Sequence, residues 1–491
     1  MMEYIVALDQ GTTSTRALAF GLDGQVLKTF QKEFQQHYPQ SGWVEHDAAE
    51  IWSTSLGVLS ALELYMQGKN ASPIAMGITN QRETTIVWEK ESGNPIGHAI
   101  VWQDRRTADF CKGLKQAGHS NFIRAQTGLQ LDPYFSASKI AWLLDHHSLR
   151  GRSDIVCGTI DSYLTYRLTA GAAHVTDATN ASRTSLLPLQ SADWSDDLCD
   201  LFAVPKSILP KIIDTAGPVG EVAKGLPFAG VPITALVGDQ QSAAIGQACL
   251  NEGQIKSTYG TGCFLIAPTG EQPIISRHQL LSTVAYQLGG KRCYALEGSI
   301  FNAGTVIQWL RDMLGVIASS EESEALAQSV PSSEGLYFVP AFTGLGAPYW
   351  DPDARGTITG IERSHTRAHI VRAGLEGIIF QTVDLLNAIQ ADTGVPFKVM
   401  KIDGGMAKNN WFAEQLSMFS ASDVLVPKNV ETTAFGAAFM AGLGAGIYQD
   451  ITDVADLWQA DKQFNRAIDS GCIRAKMQEW HQAVKKCLSS A

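Results

Sequence analysis

Paired cysteines are missing from this sequence. Its eight cysteines are scattered with no C-x-x-C spacing, which excludes the usual zinc site or disulfide framework and points to a reducing compartment. A basic block is missing too: the formal net charge is −11, and neither a nucleic acid nor an anionic membrane would find an electrostatic footprint. Long apolar runs are equally scarce. The least polar late stretch, AFGAAFMAGLGAGI at 434–447, falls short of the roughly 20 residues a membrane helix needs. The opening MMEYIVALDQ has no basic n-region and meets Asp9 before a signal-peptide core is complete. Membrane insertion and secretion are not expected; a cytoplasmic location is. H-E-x-x-H, nucleophile-elbow and Walker A patterns do not occur.

What the chain has is length and apolar content. At 491 residues and 45% hydrophobic, it is too long for one core and rich enough for two. The stretch YIVALDQGTTSTRALAFGLDGQVLKTFQKEF reads as three strands with turns at DQGTTS and at Asp23-Gly24. ITNQRETTIVWEK repeats the apolar, polar-turn, apolar pattern. Helical periodicity follows an Asp start in DAAEIWSTSLGVLSALEL from Asp47, and again after Asp132-Pro133 in DPYFSASKIAWLLDH. The small residues of 434–447 suggest a helix packed closely on a sheet. VPITALVGDQQSAAIGQACL supplies a strand, a loop and a Gly/Ala helix. New strand pairs, IKSTYGTGCFLIAPTG and STVAYQLGGKRCYALEG, then echo the opening meander. A duplicated α/β chain is expected, divided near Gly246 into domains 1–246 and 247–491, with order throughout and fraying at the final KKCLSSA.

Three stretches carry chemistry. DQGTTST, after a strand, exposes successive amides and hydroxyls that can nest anionic oxygens, with Asp9 placed to hold a hydrated Mg²⁺; an ordinary Thr/Ser turn is the alternative. TYGTG at 258–262 offers the same chemistry in the second half. IDGGMAKNN at 402–410 ends a strand in paired glycines and opens a helix, a turn that can seat a nucleoside or serve only as a tight bend. In isolation the Arg82-Glu83 pair reads as a solvated hairpin tip, and Asp239 as a helix N-cap. His46 in VEHD reads as a loop residue: Glu45, His46 and Asp47 are consecutive and cannot all face one ion from a strand. Asp104 and Asp353 receive no role.

The ordered trio resembles the actin, hexokinase and Hsp70 class of ATP-binding folds. NQRETTIVWEK, GWVEHD, DPYFSASKIAWLLDH, GDQQSAAIGQ, YGTGCF and FTGLGAPYWDPDARG resemble, more narrowly, the glycerol kinases of the FGGY carbohydrate kinase family. The likeness runs to about Gly446. It implies two ribonuclease H-like domains flanking a catalytic cleft, with glycerol and ATP as substrates, Mg²⁺ as cofactor, and a homodimer or homotetramer. It assigns Asp239 as the base that takes the hydroxyl proton and Asp9 as the metal-orienting acid. Arg82, Glu83, Tyr134 and Gln240 are assigned to glycerol hydroxyls, and Trp102 and Phe264 to its carbon edge. Thr12, Thr13, Ser14, Arg16 and Thr261 are assigned to the phosphates; Gly304, Gln308, Gly405 and Asn409 line the rest of the nucleotide site. The segment EVAKGLPFAGVP lacks the Gly-Gly-Lys-Gly-Gly run of glycerol kinases inhibited by a sugar bisphosphate, so that regulation is not expected.

Overall fold

The computed structural model describes residues 2–466 and 470–489. Strands β1 (Met2–Gln10), β2 (Ser14–Gly21) and β3 (Val26–Glu33) form the expected antiparallel meander. Gly24 closes β2 on β3 at φ +79°, a left-handed conformation that costs glycine little. β4 (Ala71–Asn80), β5 (Ala216–Glu221) and β6 (Pro232–Gly238) complete a six-stranded sheet in the order β5-β6-β4-β1-β2-β3. The second sheet contains β7 (Gln254–Tyr259), β8 (Cys263–Gly270), β9 (Leu281–Leu288), β10 (Lys291–Ile300), β11 (Val399–Asp403), β12 (Asp423–Pro427) and β13 (Ala460–Phe464). Its order is β9-β10-β8-β7-β11-β12-β13. Beyond β9, the run β10-β8-β7-β11-β12-β13 reproduces β3-β2-β1-β4-β6-β5 in spatial order and in parallel and antiparallel sense, although β5 precedes β6 in the chain whereas β13 follows β12. The echo between the two meanders is a repeat of topology.

The helices that cover the sheets or flank the cleft are α1 (Ala48–Gln67), α2 (Ser136–His146), α3 (Asp239–Gly246), α4 (Gly304–Asp312), α5 (Arg367–Thr393), α6 (Asn410–Ser420), α7 (Thr432–Gly444) and α8 (Ser470–Cys487). Asp47 caps α1 by accepting the Ala49 N–H at 2.8 Å. Strand periodicity decides which side chain meets which helix. Tyr4, Val6 and Leu8 of β1, with Ala17 and Ala19 of β2, pack with Ile51, Val58, Leu59 and Leu62 of α1. Ile5, Ala7, Leu18 and Phe20 face the other way, against Ala434, Phe435 and Ala438 of α7. Burial on both faces explains why these strands read as continuous apolar runs.

The small residues of 434–447 act as expected. A Cβ on Gly436 would lie 1.9 Å from the Ser242 carbonyl oxygen of α3, and one on Gly77 of β4 would lie 2.2 Å from that of Ala437. Only bare glycine backbone lets α7 sit this close to both α3 and the sheet.

Three expectations need correction. ITNQRETTIVWEK is not a hairpin: Thr85–Glu89 leaves β4 and joins a separate four-stranded sheet, pairing with Ile155–Thr159. The connecting residues 81–84 therefore turn inward. His46 is a strand residue, fully buried, with its ring against Phe34 and Nε2 bonded to Gln36 at 2.6 Å; burial pushes its pKa down to about 3. The final residues are tied down as far as they are described: α8 reaches Cys487, and Ser489 donates its N–H to Asp351 at 2.7 Å. Ser490 and Ala491 of KKCLSSA lie outside the described residues. Asp104 gains a structural place, buried while accepting the Val44 N–H at 2.6 Å and pairing with Arg106 at 2.8 Å.

The α3–α7 contact generates a stability prediction. Gly436→Ala should cost about 1–3 kcal/mol through overpacking, read as a lower urea midpoint with an unchanged slope.

Candidate active site

The inward turn after β4 carries Arg82 and Glu83 into the protein, where they are 3% and 2% exposed. The solvated-tip reading fails because the chain changes sheets at this point. Glu83 adopts φ +61°, a conformation disfavoured for a residue with a side chain. The Thr84 N–H donates to the Arg82 carbonyl at 2.7 Å and the Ser136 hydroxyl to that of Glu83 at 3.1 Å. Gly238 at the end of β6 makes room for the arginine, since a Cβ there would lie 2.8 Å from Arg82 Cδ.

Arg82 donates to both oxygens of Glu297 on β10, at 2.6 and 3.0 Å, and to Gln241 at 3.1 Å. Arg183 donates to Glu297 at 3.0 Å and to Glu83 at 2.6 Å. One carboxylate from the second sheet thus bonds two buried guanidinium groups from the first half of the chain. Burial alone would raise the Glu297 carboxyl, but Arg183 and Arg82 outweigh it and hold it below the usual range. Glu83 goes the other way, pushed up by burial against both arginines.

Asp239 is the first residue of α3, yet it is not the N-cap: that place belongs to Gly238. Its Oδ1 accepts the N–H of Gln240 at 2.7 Å and lies 3.2 Å from Arg82 Nε. The side chain keeps 27% of its surface accessible. Loss of hydration pushes its carboxyl up, Arg82 and Lys256 oppose this, and Asp9 adds repulsion. Gln240 accepts from the fully buried Lys256 ammonium at 2.7 Å. Burial lowers the Lys256 pKa, while Asp403 and Asp239 favour its charge.

Asp9 and Arg16 are direct partners across β1 and β2, on the face toward α7. They meet at 2.5 Å, and Arg16 also reaches Glu431, just before α7, at 2.6 Å. Burial raises the Asp9 carboxyl against the pull of Arg16.

Trp102, Tyr134 and Phe264 come together as an aromatic wall, with Trp102 5.7 Å from the Tyr134 ring and 6.0 Å from Phe264. Trp102 Nε1 donates to the Thr12 hydroxyl at 3.0 Å, linking the wall to the first Thr-rich turn. Lys139 of α2 is fully buried and donates to the carbonyls of Pro133, Tyr134 and Phe135 at 3.0, 2.5 and 3.0 Å. It fixes the backbone that presents Tyr134.

In the first turn Gly11 donates to the Ser14 carbonyl at 2.9 Å, Thr13 is exposed, and the Ser14 hydroxyl accepts from Gln31. In the second, Thr261 is exposed and its carbonyl accepts the N–H groups of Ala303 at 3.0 Å and Thr305 at 3.2 Å. Gly304 abuts this turn, where a Cβ would stand 2.5 Å from the Gly260 carbonyl oxygen. Gly404 is fitted against Tyr259, while a Cβ on the neighbouring Gly405 would meet nothing within 4 Å. Gln308 is exposed on α4. Asn409 is committed to capping α6, accepting the Phe412 N–H at 2.9 Å. No hydrogen bond among the described residues joins Gln308 or Asn409 to the Asp9 turn.

Arg183, Glu297, Lys256 and Asp403 were not singled out from sequence. Asp403 accepts from Thr258, from Gln247 at 2.9 Å and from Thr432 at 2.6 Å. A signal existed for three of them: Glu297, Lys256 and Asp403 are charges inside or ending otherwise buried strands, and buried charge requires a partner.

Two facing sheets of repeated topology, with acids and Thr-rich turns at their adjoining ends, define the class: a two-lobed phosphoryl-transfer fold. The family models agree. Residues 4–246 match the N-terminal domain, and residues 255–445 the C-terminal domain, of the FGGY family of carbohydrate kinases. The chain is 48% identical over 490 residues to the glycerol kinase of Gluconobacter oxydans, covering 99% of this chain and 95% of that one. It is 49% identical over 496 residues to glycerol kinase 1 of Pseudomonas aeruginosa, covering all of both. Among solved structures, Plasmodium falciparum glycerol kinase with ADP superposes with a TM-score of 0.95 at 35% identity, over 100% of this chain and 99% of that one. The chain belongs to the FGGY family of carbohydrate kinases.

Removing the shared carboxylate should expose its weight. Glu297→Ala leaves two buried arginines short of charge and is expected to destabilise by about 3–5 kcal/mol, measured by denaturant titration; an unchanged midpoint would contradict this account.

Proposed function

We propose that this chain transfers the γ-phosphoryl group of ATP to glycerol, forming sn-glycerol 3-phosphate, with Asp239 accepting the hydroxyl proton. The carrying observation is Asp239 itself: a cleft-side carboxylate 3.2 Å from buried Arg82, on the turn-and-helix junction beside Glu83 and the aromatic wall. A small triol offers little apolar area, so recognition must come from directed and charge-assisted hydrogen bonds. Arg82 and Glu83 supply a donor and an acceptor, and Glu83 Oε2 makes no hydrogen bond within the described fold. Arg183 Nη1 is buried without a partner, a further donor available to a ligand. Trp102, Tyr134 and Phe264 cover the carbon edge and limit the size of what enters. Gln240, held by Lys256, completes the polar side.

The nucleotide residues fit a phosphate and nucleoside cradle. Thr12, Thr13, Ser14, Arg16 and Thr261 stand at the two turns. Gly304 and Gly405 keep the backbone bare, the latter beside open space, with Gln308 and Asn409 at the border. A bound Mg²⁺ would neutralise phosphate oxygens. Asp9 suits it, because Mg²⁺ keeps several waters and needs only one or two carboxylates, and Arg16 engages only Oδ2 of Asp9. Since groups from both halves surround the reacting atoms, their closure shields the phosphoryl group from water. The division into 1–246 and 247–491 is supported by the repeated sheets, although α7 from the second segment packs on the first sheet. Seven free cysteines among the described residues support a cytoplasmic setting.

Asp239→Asn should lower kcat by at least about 100-fold, as loss of a general base does, while ATP binding measured by calorimetry stays near native. A normal rate of glycerol 3-phosphate formation would sink the mechanism. The base works deprotonated and burial raises its pKa, so kcat/KM should fall on acidification at a pH above that of an ordinary aspartate. Asp239→Asn should abolish that limb. A panel of polyols and pentuloses with coupled ADP detection should give the highest kcat/KM for glycerol; faster turnover of a pentulose would reassign the substrate.

A further inference from the structure

Away from the cleft, a recess of about 650 Å³ opens between α5 and α8, within the size range of small-molecule sites. Its apolar side consists of Pro348, Tyr349, Ala388, Val484 and Leu488; its polar side consists of His278, Gln279, Asp384, Asn387, His481 and Lys485. The hydrogen-bond inventory decides what it could hold. Asp384 is the one acidic group of the lining, and both its oxygens are taken: Tyr349 and Trp480 donate to Oδ2 at 2.6 and 2.7 Å, and His481 Nε2 lies 2.7 Å from Oδ1. His278 meets Asp392 through Nδ1 at 2.8 Å. Among the described residues the Lys485 ammonium, the Asn387 amide, His278 Nε2 and His481 Nδ1 have no partner. Contact with Asp384 raises the His481 pKa and favours the imidazolium. The lining's one carboxylate is engaged by three donors, while the Lys485 ammonium and the Nδ1–H of a charged His481 stay free, an arrangement suited to an anion with an apolar body.

The recess also touches the support of the aromatic wall. Trp350, next in the chain to Tyr349, donates to the Gln279 carbonyl at 2.5 Å. It packs on the cluster of Leu129, Phe135 and Leu281 that also carries Tyr134. We propose that this recess is a second site, for a small organic anion with an aromatic or branched apolar body, and that its occupancy is read at the substrate pocket through Trp350 and Tyr134. The coupling rests on the reading of Tyr134 as a substrate contact; the binding does not.

The probe is 8-anilinonaphthalene-1-sulfonate, followed by fluorescence on the full chain with glycerol and ADP saturating, so that the cleft is filled. The expected result is one saturable equivalent, weakened by about tenfold or more in Lys485→Glu and lost in Asn387→Trp, which fills the recess from an exposed position on α5. Both variants should turn over glycerol normally without the probe. With the native chain the probe should change the KM for glycerol by about twofold or more, equivalent to a coupling of some tenths of a kcal/mol, and in Asn387→Trp it should not. Unaltered binding in Lys485→Glu, or no saturable binding to the native chain, overturns the site. Binding with no change in KM overturns the coupling and leaves the site standing.

Discussion

The Glu297 carboxylate holds the centre of this molecule together. It comes from the second sheet and neutralises Arg82 and Arg183, both buried and both from the first half. A guanidinium removed from water is costly, and a bidentate carboxylate is the strongest common compensation. With Glu83 added, two positive charges face two negative ones. Asp239 is then the additional negative charge, left at the cleft edge with Lys256 beyond it, and its side chain remains partly open to solvent.

This arrangement divides the cleft into two parts of different character. On the side proposed for the polyol, Arg82, Glu83 and the aromatic wall are fixed by buried ion pairs, by the three carbonyl bonds of Lys139, and by the Trp102–Thr12 contact. On the side proposed for the nucleotide the turns carry exposed hydroxyls and bare glycines, with fewer bonds across the cleft. A preorganised acceptor site and a more open donor site suit an enzyme that must admit and release a large nucleotide while keeping a small alcohol in register.

The repeat of topology explains how two halves with little evident sequence identity present matching ends. β1 and β7 each lead into a Thr/Gly turn, and β4 and β11 each lie parallel beside them. The equivalent ends have diverged in chemistry. β1 carries Asp9 against Arg16, whereas β7 carries Thr258 bonded to Asp403 of its neighbour. One scaffold thus supplies two different faces to one crevice.

The sequence by itself determined the strand periods, the Gly24 turn, the Asp47-capped helix, the closely packed Gly/Ala helix and the kinds of chemistry available at DQGTTST, NQRET and GDQQ. All of these depend on neighbours a few residues away, where steric and hydrogen-bond preferences act directly. Only the tertiary structure decided that Arg82 and Glu83 face inward, because that followed from a strand leaving one sheet for another. Likewise only the fold named Glu297 as the partner of Arg82, 215 residues distant, and Arg183 as that of Glu83, 100 residues distant. A charge in an apolar strand announces that it needs a counter-ion, but the choice of counter-ion is set by which backbones pack together, and no local pattern encodes that.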